Sequence, residues 1–326
     1  MIRKNVSKLM LLCVLLCTLV GFSSCKGQPD REKDDTYQVF CTTFPAYDWI
    51  KQISAECDPV EVVLLDTHGA DLHSYQPTAA DMVKVAQSEL VVYVGGTSDD
   101  WIEDAVKNAG TDVKAVSLLE LLDDRAKPEE HTEGMEYDHE HEHEHDVAEM
   151  DEHVWLSLKN ARLCVSRLSA LLCEALPAEA EGLQTTTEEY FQTLAALDER
   201  YAQVVQTAEH SVFVMADRFP FRYLADDYGL TGYAAFPGCS TETDAGFDTI
   251  IFLAQKVDEN ALSHIAVTES TDGTVAEAVL SNAKTENVQI VTLDSLQSIT
   301  QARINAGETY ASVMEKNLRA LQQLLS

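Results

Sequence analysis

The chain is poor in positive charge. Its 326 residues carry 23 Lys and Arg against 55 Asp and Glu, a formal net charge of −32. Nucleic acids and anionic membrane surfaces are bound through basic patches, so this deficit argues against both as partners. It is compatible with attracting cations, and it also serves plain solubility. Paired thiols are scarce too. Of the 8 cysteines, Cys13, Cys17 and Cys25 crowd the N-terminus, leaving Cys41, Cys57, Cys164, Cys173 and Cys239. None of them are spaced as C-x-x-C or as a zinc ribbon. At most two disulfides and one free thiol can form among them, and most read as small buried hydrophobes. The apolar stretch 9–22 is short of the roughly 20 residues that span a bilayer.

That stretch reads as part of a targeting segment. Arg3, Lys4 and Lys8 precede it, and the small residues Ser23 and Ser24 follow, just before Cys25. The arrangement resembles a bacterial lipoprotein signal over residues 1–24, with Cys25 as the lipidated first residue. Phe22 stands where Leu is usual, and an ordinary secretory signal is the alternative. Cleavage before Cys25 removes three positive charges and no negative ones, so the remaining chain sits near −35 (−32 − 3). Residues 26–36 are polar and form a flexible tether with Cys25. The expected location is extracytoplasmic, anchored to the outer face of the bacterial cytoplasmic membrane.

What is present in quantity is ordinary core material, 45% apolar and 7% aromatic residues, on a chain long enough for two lobes. Strands are predicted at 37–41, 60–65, 90–94 and 113–117, with helices at 46–55, 78–88 and 99–108 between them. Thr78-Ala79-Ala80-Asp81 reads as a capping-box start. Helical periodicity continues over 158–176, and Pro177 breaks it. A second long helix over 178–207 has a stripe of Leu183, Tyr190, Leu194, Leu197, Tyr201 and Val204 at helical spacing. Its length, about 45 Å at 1.5 Å per residue, suits a rod joining two lobes. Strands resume at 211–215, 230–235, 265–268 and 288–293, with a last helix over 303–325. Strands that alternate with helices and run continuously apolar imply parallel sheets covered on both faces. The fold class is α/β: two similar lobes, each a four-stranded mostly parallel sheet flanked by helices. The lobes are 37–176 and 209–326, joined by a rigid linking helix at 177–208.

Residues 123–150 break the alternation and read as a disordered surface loop, charged and nearly free of aliphatics. At its centre lies Asp138-His139-Glu140-His141-Glu142-His143-Glu144-His145-Asp146, and just after it Asp151-Glu152-His153-Val154-Trp155-Leu156-Ser157. Imidazoles and carboxylates are the ligands of Zn2+ and Mn2+. His139 to His143 formally fits H-E-x-x-H, but a charged repeat without an apolar face is not the helix a zinc protease needs. Ligands of open α/β sheets bind beyond the carboxyl ends of strands. Four residues occupy such ends or helix starts: His73, His153, Asp217 and Asp294. Together they make a borderline-hard metal site; singly, a loop His is solvated and Asp294 caps a turn.

Longer motifs add a resemblance. Thr42-Thr43-Phe44-Pro45-Ala46-Tyr47-Asp48-Trp49, His73-Ser74-Tyr75-Gln76-Pro77-Thr78, Val92-Tyr93-Val94-Gly95-Gly96 with Trp101, the run 151–157 quoted above, and Leu293-Asp294-Ser295-Leu296 are similar to motifs of the solute-binding lipoproteins of zinc and manganese ABC importers. The match covers nearly all of the chain after the signal. It implies a metal ion between two lobes, with His73, His153 and Asp294 as ligands. It also implies delivery to a membrane permease powered by an ATPase, by a monomer with no catalytic step. Leu72 and Glu152 stand where Pro is common, which changes loop stiffness. The third ligand is the open point. Counting from the first strand of the second lobe gives Asp217; counting back from Tyr228-Gly229-Leu230 gives Arg218, which cannot bind a metal. Asp217 is favoured, with water or Glu242 as alternatives. His139, His141, His143 and His145 resemble the optional loop of the zinc branch and are expected to gather Zn2+ without forming the tight site. Zn2+ is preferred, and Mn2+ is compatible. The competing readings are a surface adhesion protein on the same fold and a zinc hydrolase, the latter lacking a general base near an open metal position.

Overall fold

The computed structural model describes residues 36–109, 113–136 and 149–326. The apolar stretch 9–22, Cys25 and the histidines His139, His141, His143 and His145 lie outside them. Strands β1 (Tyr37–Cys41), β2 (Val60–Leu64), β3 (Leu90–Tyr93) and β4 (Lys114–Ser117) form a sheet in the order β2-β1-β3-β4. Strands β5 (Val212–Phe219), β6 (Thr231–Pro237), β7 (His264–Val267) and β8 (Gln289–Thr292) form a second in the order β6-β5-β7-β8. Every pairing is parallel, as the continuous apolar runs predict; β3 is buried along its whole length. In each sheet the strand order reverses between the first and third strands, and that switch opens a crevice at their carboxyl ends.

The principal helices are α1 (Phe44–Ile53), α2 (Ala79–Gln87), α3 (Trp101–Ala109), α4 (Leu158–Ala175), α5 (Ala180–Thr207), α6 (Arg222–Tyr228), α7 (Phe247–Glu259), α8 (Thr274–Asn282) and α9 (Tyr310–Leu324). The capping box expected at Thr78 and Asp81 is formed. Helix α5, with 28 residues, is about 42 Å long. It buries Leu183, Thr186, Tyr190, Leu194, Leu197 and Tyr201, a stripe at three- and four-residue spacing. One continuous core runs from the first sheet through α4 and α5 to one face of the second sheet. The other face of the second sheet keeps a smaller core of its own.

Three departures from the sequence reading bear on the site. Strand β5 does not stop near Met215; it continues to Phe219 through a register shift between Met215 and Arg218. Such a bulge re-aims the side chains it carries. The last helix is two helices. Gln301–Asn305 ends at Gly307, whose φ of +86° favours glycine, and α9 restarts from a Thr309 capping box. The restart places Tyr310 against the first lobe, its ring 5.3 Å edge-on to Trp49 and its amide donating to Asp48 at 2.9 Å. Finally, the described parts of 123–150 are docked rather than disordered. Lys127 N–H donates to Tyr223 Oη at 2.9 Å, and Pro128 bridges Met150. The Glu136 carboxylate accepts from Gly246 N–H and Thr249 Oγ1 at 2.8 and 3.0 Å. Because Gly246 has no side chain to cap α7, an acidic residue from another segment meets the positive helix end.

Candidate metal centre

Two short turns carry the histidines, and they are built alike. In Asp71-Leu72-His73, Asp71 Oδ1 accepts both the His73 backbone N–H at 3.0 Å and His73 Nδ1 at 2.8 Å. In Asp151-Glu152-His153, Asp151 Oδ1 does the same for His153, at 2.9 Å in both cases. An ionised carboxylate only accepts, so each Nδ1 carries a proton and each Nε2 is turned away from its aspartate. A carboxylate behind an imidazole is the orienting arrangement of metal-bound histidine. Burial works against ionisation of Asp71, but the His73 hydrogen bond and charge, with the Arg218 guanidinium, hold its carboxyl well below the usual range. For His73, burial lowers the pKa, while the Asp71 hydrogen bond and charge, with Glu152, leave it raised. The sequence reading missed both aspartates, although the repeated D-x-H spacing displays them.

The two imidazoles face each other, 5.3 Å between ring centroids and 24° from parallel. His153 is fully buried and the His73 side chain is 6% exposed. His73 Nε2 is buried without a hydrogen-bond partner, and the Glu152 carboxylate stands 3.7 Å from it. A small cavity of about 30 Å3 opens beside His73, between Phe44, Glu152, Trp155 and Gln297. Glu152 therefore does more than alter loop stiffness: it places a buried carboxylate beside an unsatisfied ring nitrogen. Its Oε1 is held by the Ser98 amide at 3.0 Å and Thr97 Oγ1 at 3.2 Å.

From the second lobe comes Cys239, just after β6. One ligand atom each from His73, His153 and Cys239 lie within 4.8 Å of one another. Gly238 makes the approach possible, since a Cβ there would sit 2.9 Å from the Phe219 carbonyl and 3.1 Å from His153 Cε1. Burial, with the charges of Glu129, Glu152 and Asp151, pushes the Cys239 thiol pKa up. A bound cation reverses that balance and takes the thiolate. All five cysteines of the described residues are free, and Cys41, Cys57 and Cys164 are the buried hydrophobes the sequence suggested.

Asp217, Asp294 and Glu242 are not in this cluster. Asp217 lies in the β5 bulge, and its carboxylate accepts Thr268 N–H at 3.0 Å, Thr268 Oγ1, and the Arg218 amide at 2.8 Å. Asp294 accepts Leu296 N–H at 2.9 Å and pairs with Arg303 at 2.5 Å. Glu242 is exposed. Arg218 reaches across to the first lobe, Nη1 to Asp71 Oδ2 at 2.7 Å. Gln297 fills the remaining gap. With its amide nitrogen towards Asp71, 2.6 and 3.0 Å from the two carboxylate oxygens, its oxygen meets His153 Nε2. Leu296, at a φ of +62°, aims Gln297 inward, and Glu269 holds the turn through Ser295 N–H and Ser295 Oγ at 2.7 and 2.8 Å.

A family profile described as "Zinc-uptake complex component A periplasmic" matches residues 39–324. The chain belongs to this family. It is similar to the zinc-binding lipoprotein AdcA of Streptococcus pneumoniae serotype 4, 30% identical over 321 residues, which are 97% of this chain and 60% of AdcA. The chain thus spans less than two thirds of that relative. It is also similar to the high-affinity zinc uptake system protein ZnuA of Bacillus subtilis, 31% identical over 322 residues, 96% of this chain and 95% of the relative. Among solved structures, the Zn(II)-bound ZnuA-like domain of the pneumococcal AdcA matches with a TM-score of 0.68 at 27% identity, covering 89% of this chain and 99% of that domain. The metal-dependent lipoprotein YcdH of Bacillus subtilis matches at 0.69 and 25%, covering 89% and 99%. Family membership accounts for the doubled sheet order.

Proposed function

We propose that this protein is the extracytoplasmic solute-binding component of a zinc ABC importer. It captures Zn2+ between its lobes and hands it to a membrane permease driven by an ATPase. The observation that carries this reading is the pair of Asp-oriented, stacked imidazoles, with His73 Nε2 buried and without a hydrogen-bond partner. Leaving a buried polar atom unsatisfied costs about 1–3 kcal/mol, and a metal ion removes that cost. The comparisons support zinc as the cargo: AdcA and ZnuA are named for zinc, and the AdcA domain is Zn(II)-bound. We assign residues 1–24 as a signal, Cys25 as the lipid anchor, 37–176 and 209–326 as the lobes, and 177–208 as their link, and we assign no catalytic step. The tract with His139, His141, His143 and His145 gathers Zn2+ as an accessory.

Titration calorimetry with Zn2+ and Mn2+ separately tests the reading. One tight Zn2+ site is expected, abolished by His73→Ala and retained when residues 131–146 are deleted. Binding that survives His73→Ala but disappears with the loop would remove the cleft site and the importer reading together.

A further inference from the structure

We propose that Cys239 is the second lobe's metal ligand, completing a site with His73 and His153 that takes a borderline-soft divalent cation, Zn2+ far ahead of Mn2+. The proposal rests on the cleft being the metal site and names the group that closes it. Three observations carry it. First, the ligand atoms of the three residues already lie within 4.8 Å of one another. Ligands 2.0–2.3 Å from a tetrahedral zinc stand roughly 3.5 Å apart, so the groups have little more than about 1 Å left to close. Second, His73 Nε2, on a side chain only 6% exposed, has no hydrogen-bond partner. Its nearest charged group is the Glu152 carboxylate at 3.7 Å, which leaves the nitrogen open to a cation. Third, both residues of β5 that counting offers as third ligand are occupied. Asp217 is turned to Thr268, and Arg218 is paired with Asp71. The second lobe therefore brings a positive charge to the place where a ligand is expected, and the thiolate supplies the anion instead.

The surroundings of Cys239 set it apart from the other thiols. Cys41 and Cys164 are buried in the apolar core, and Cys173 Sγ donates to the Ala180 carbonyl at 3.8 Å. Cys239 instead follows a glycine that lets its loop close on His153, and its amide donates to Glu129 at 2.7 Å. On binding, the S–H bond breaks, its proton leaves to solvent, and a sulfur–metal bond forms in its place. Thiolate ligands discriminate against Mn2+, which prefers carboxylate and water oxygens.

Co2+ replaces Zn2+ in such sites and reports sulfur ligation by a thiolate-to-cobalt charge-transfer band in the near ultraviolet. The intact protein is expected to bind one Co2+ with that band. Cys239→Ser should lose the band and weaken Zn2+ by more than the about 10–100-fold that an outer-shell partner contributes. Cys173→Ser should change neither, and melting curves confirm that both variants fold. Stoichiometric Co2+ binding without the band overturns the proposal with no variant needed, as does a band that survives Cys239→Ser. If His73→Ala abolishes binding while Cys239→Ser binds Zn2+ like the parent, the thiolate alone is wrong. If His73→Ala binds normally, the cleft reading falls and the thiolate with it.

Discussion

The two lobes use one device in opposite senses. Where the first sheet reverses its order, Thr42 after β1 donates to Asp99 after β3 at 2.7 Å, and Asp99 also accepts the amides of Val94 and Gly95 at 2.7 and 2.9 Å. Where the second sheet reverses, the acid is Asp217 in β5 and the hydroxyl is Thr268 after β7. In both cases a carboxylate clasps the first and third strands beyond their hydrogen-bonded ladder. The first lobe has further carboxylates, Asp71 and Asp151, to orient its histidines. The second lobe has its switch-point acid tied up in the clasp. A residue at a strand end is therefore not a ligand by position alone; its oxygens must be unclaimed.

Variants that separate ligand from clasp break or sharpen this comparison. The largest effect belongs to the histidines. His153→Ala should lower Zn2+ affinity by well over about 100-fold, beyond any outer-shell loss, as measured by calorimetry. Asp71→Ala should cost about 10–100-fold, because His73 keeps its nitrogen but loses its orienter. Asp99→Ala and Asp217→Ala should act on folding instead. Asp99→Ala strands two buried donors and a half-buried one and should cost about 3 kcal/mol of stability, Asp217→Ala less, with Zn2+ binding nearly intact in each. A Zn2+ site lost in Asp217→Ala with an unchanged melting temperature would make Asp217 a ligand.

Acidity gives a further test of the clasp. Burial raises the Asp99 carboxyl to about 6 against a backbone and Thr42 hydrogen-bond network that lowers it. Its folded value lies above the unfolded one, so its contribution is full below the unfolded range near 4 and is lost as pH rises through about 6. The stability gap between the parent and Asp99→Ala should narrow from pH 4 to pH 7 in denaturant titrations. The smallest effect is expected at Gln297. Its amide oxygen accepts from His153 Nε2, a bond that a metal on this nitrogen must displace, so Gln297→Ala should tighten Zn2+ by up to about tenfold, the worth of one hydrogen bond.

Much of the architecture was legible because parallel strands buried on both faces read as unbroken apolar runs; β1, β3 and the stripe of α5 follow their residues directly. The break at Gly307 was hidden, since one glycine inside an apolar periodicity is tolerated in a helix, and only the Thr309 capping box marks the restart. The histidines were legible from motif and position. Asp71 and Asp151 stood two residues before them in plain sight. Cys239 was not legible. Its approach to within 4.8 Å of His73 depends on how β6 ends beside β5 and on the missing side chain of Gly238, neither of which leaves a local pattern. The β5 bulge that turns Asp217 away is equally silent in the letters.

Trp155 belongs to both lobes at once. Its indole N–H donates to the Ser295 carbonyl beyond β8 at 2.9 Å, and its own carbonyl accepts the Tyr310 hydroxyl at 2.6 Å. Swinging the lobes apart breaks both hydrogen bonds, at about 0.5–1.5 kcal/mol net each once water reaches the freed groups. These two bonds alone disfavour a gaping form by roughly fivefold to a hundredfold. The closed shape is held in part by one side chain and its carbonyl, and anything that opens the cleft must part Trp155 from these two neighbours.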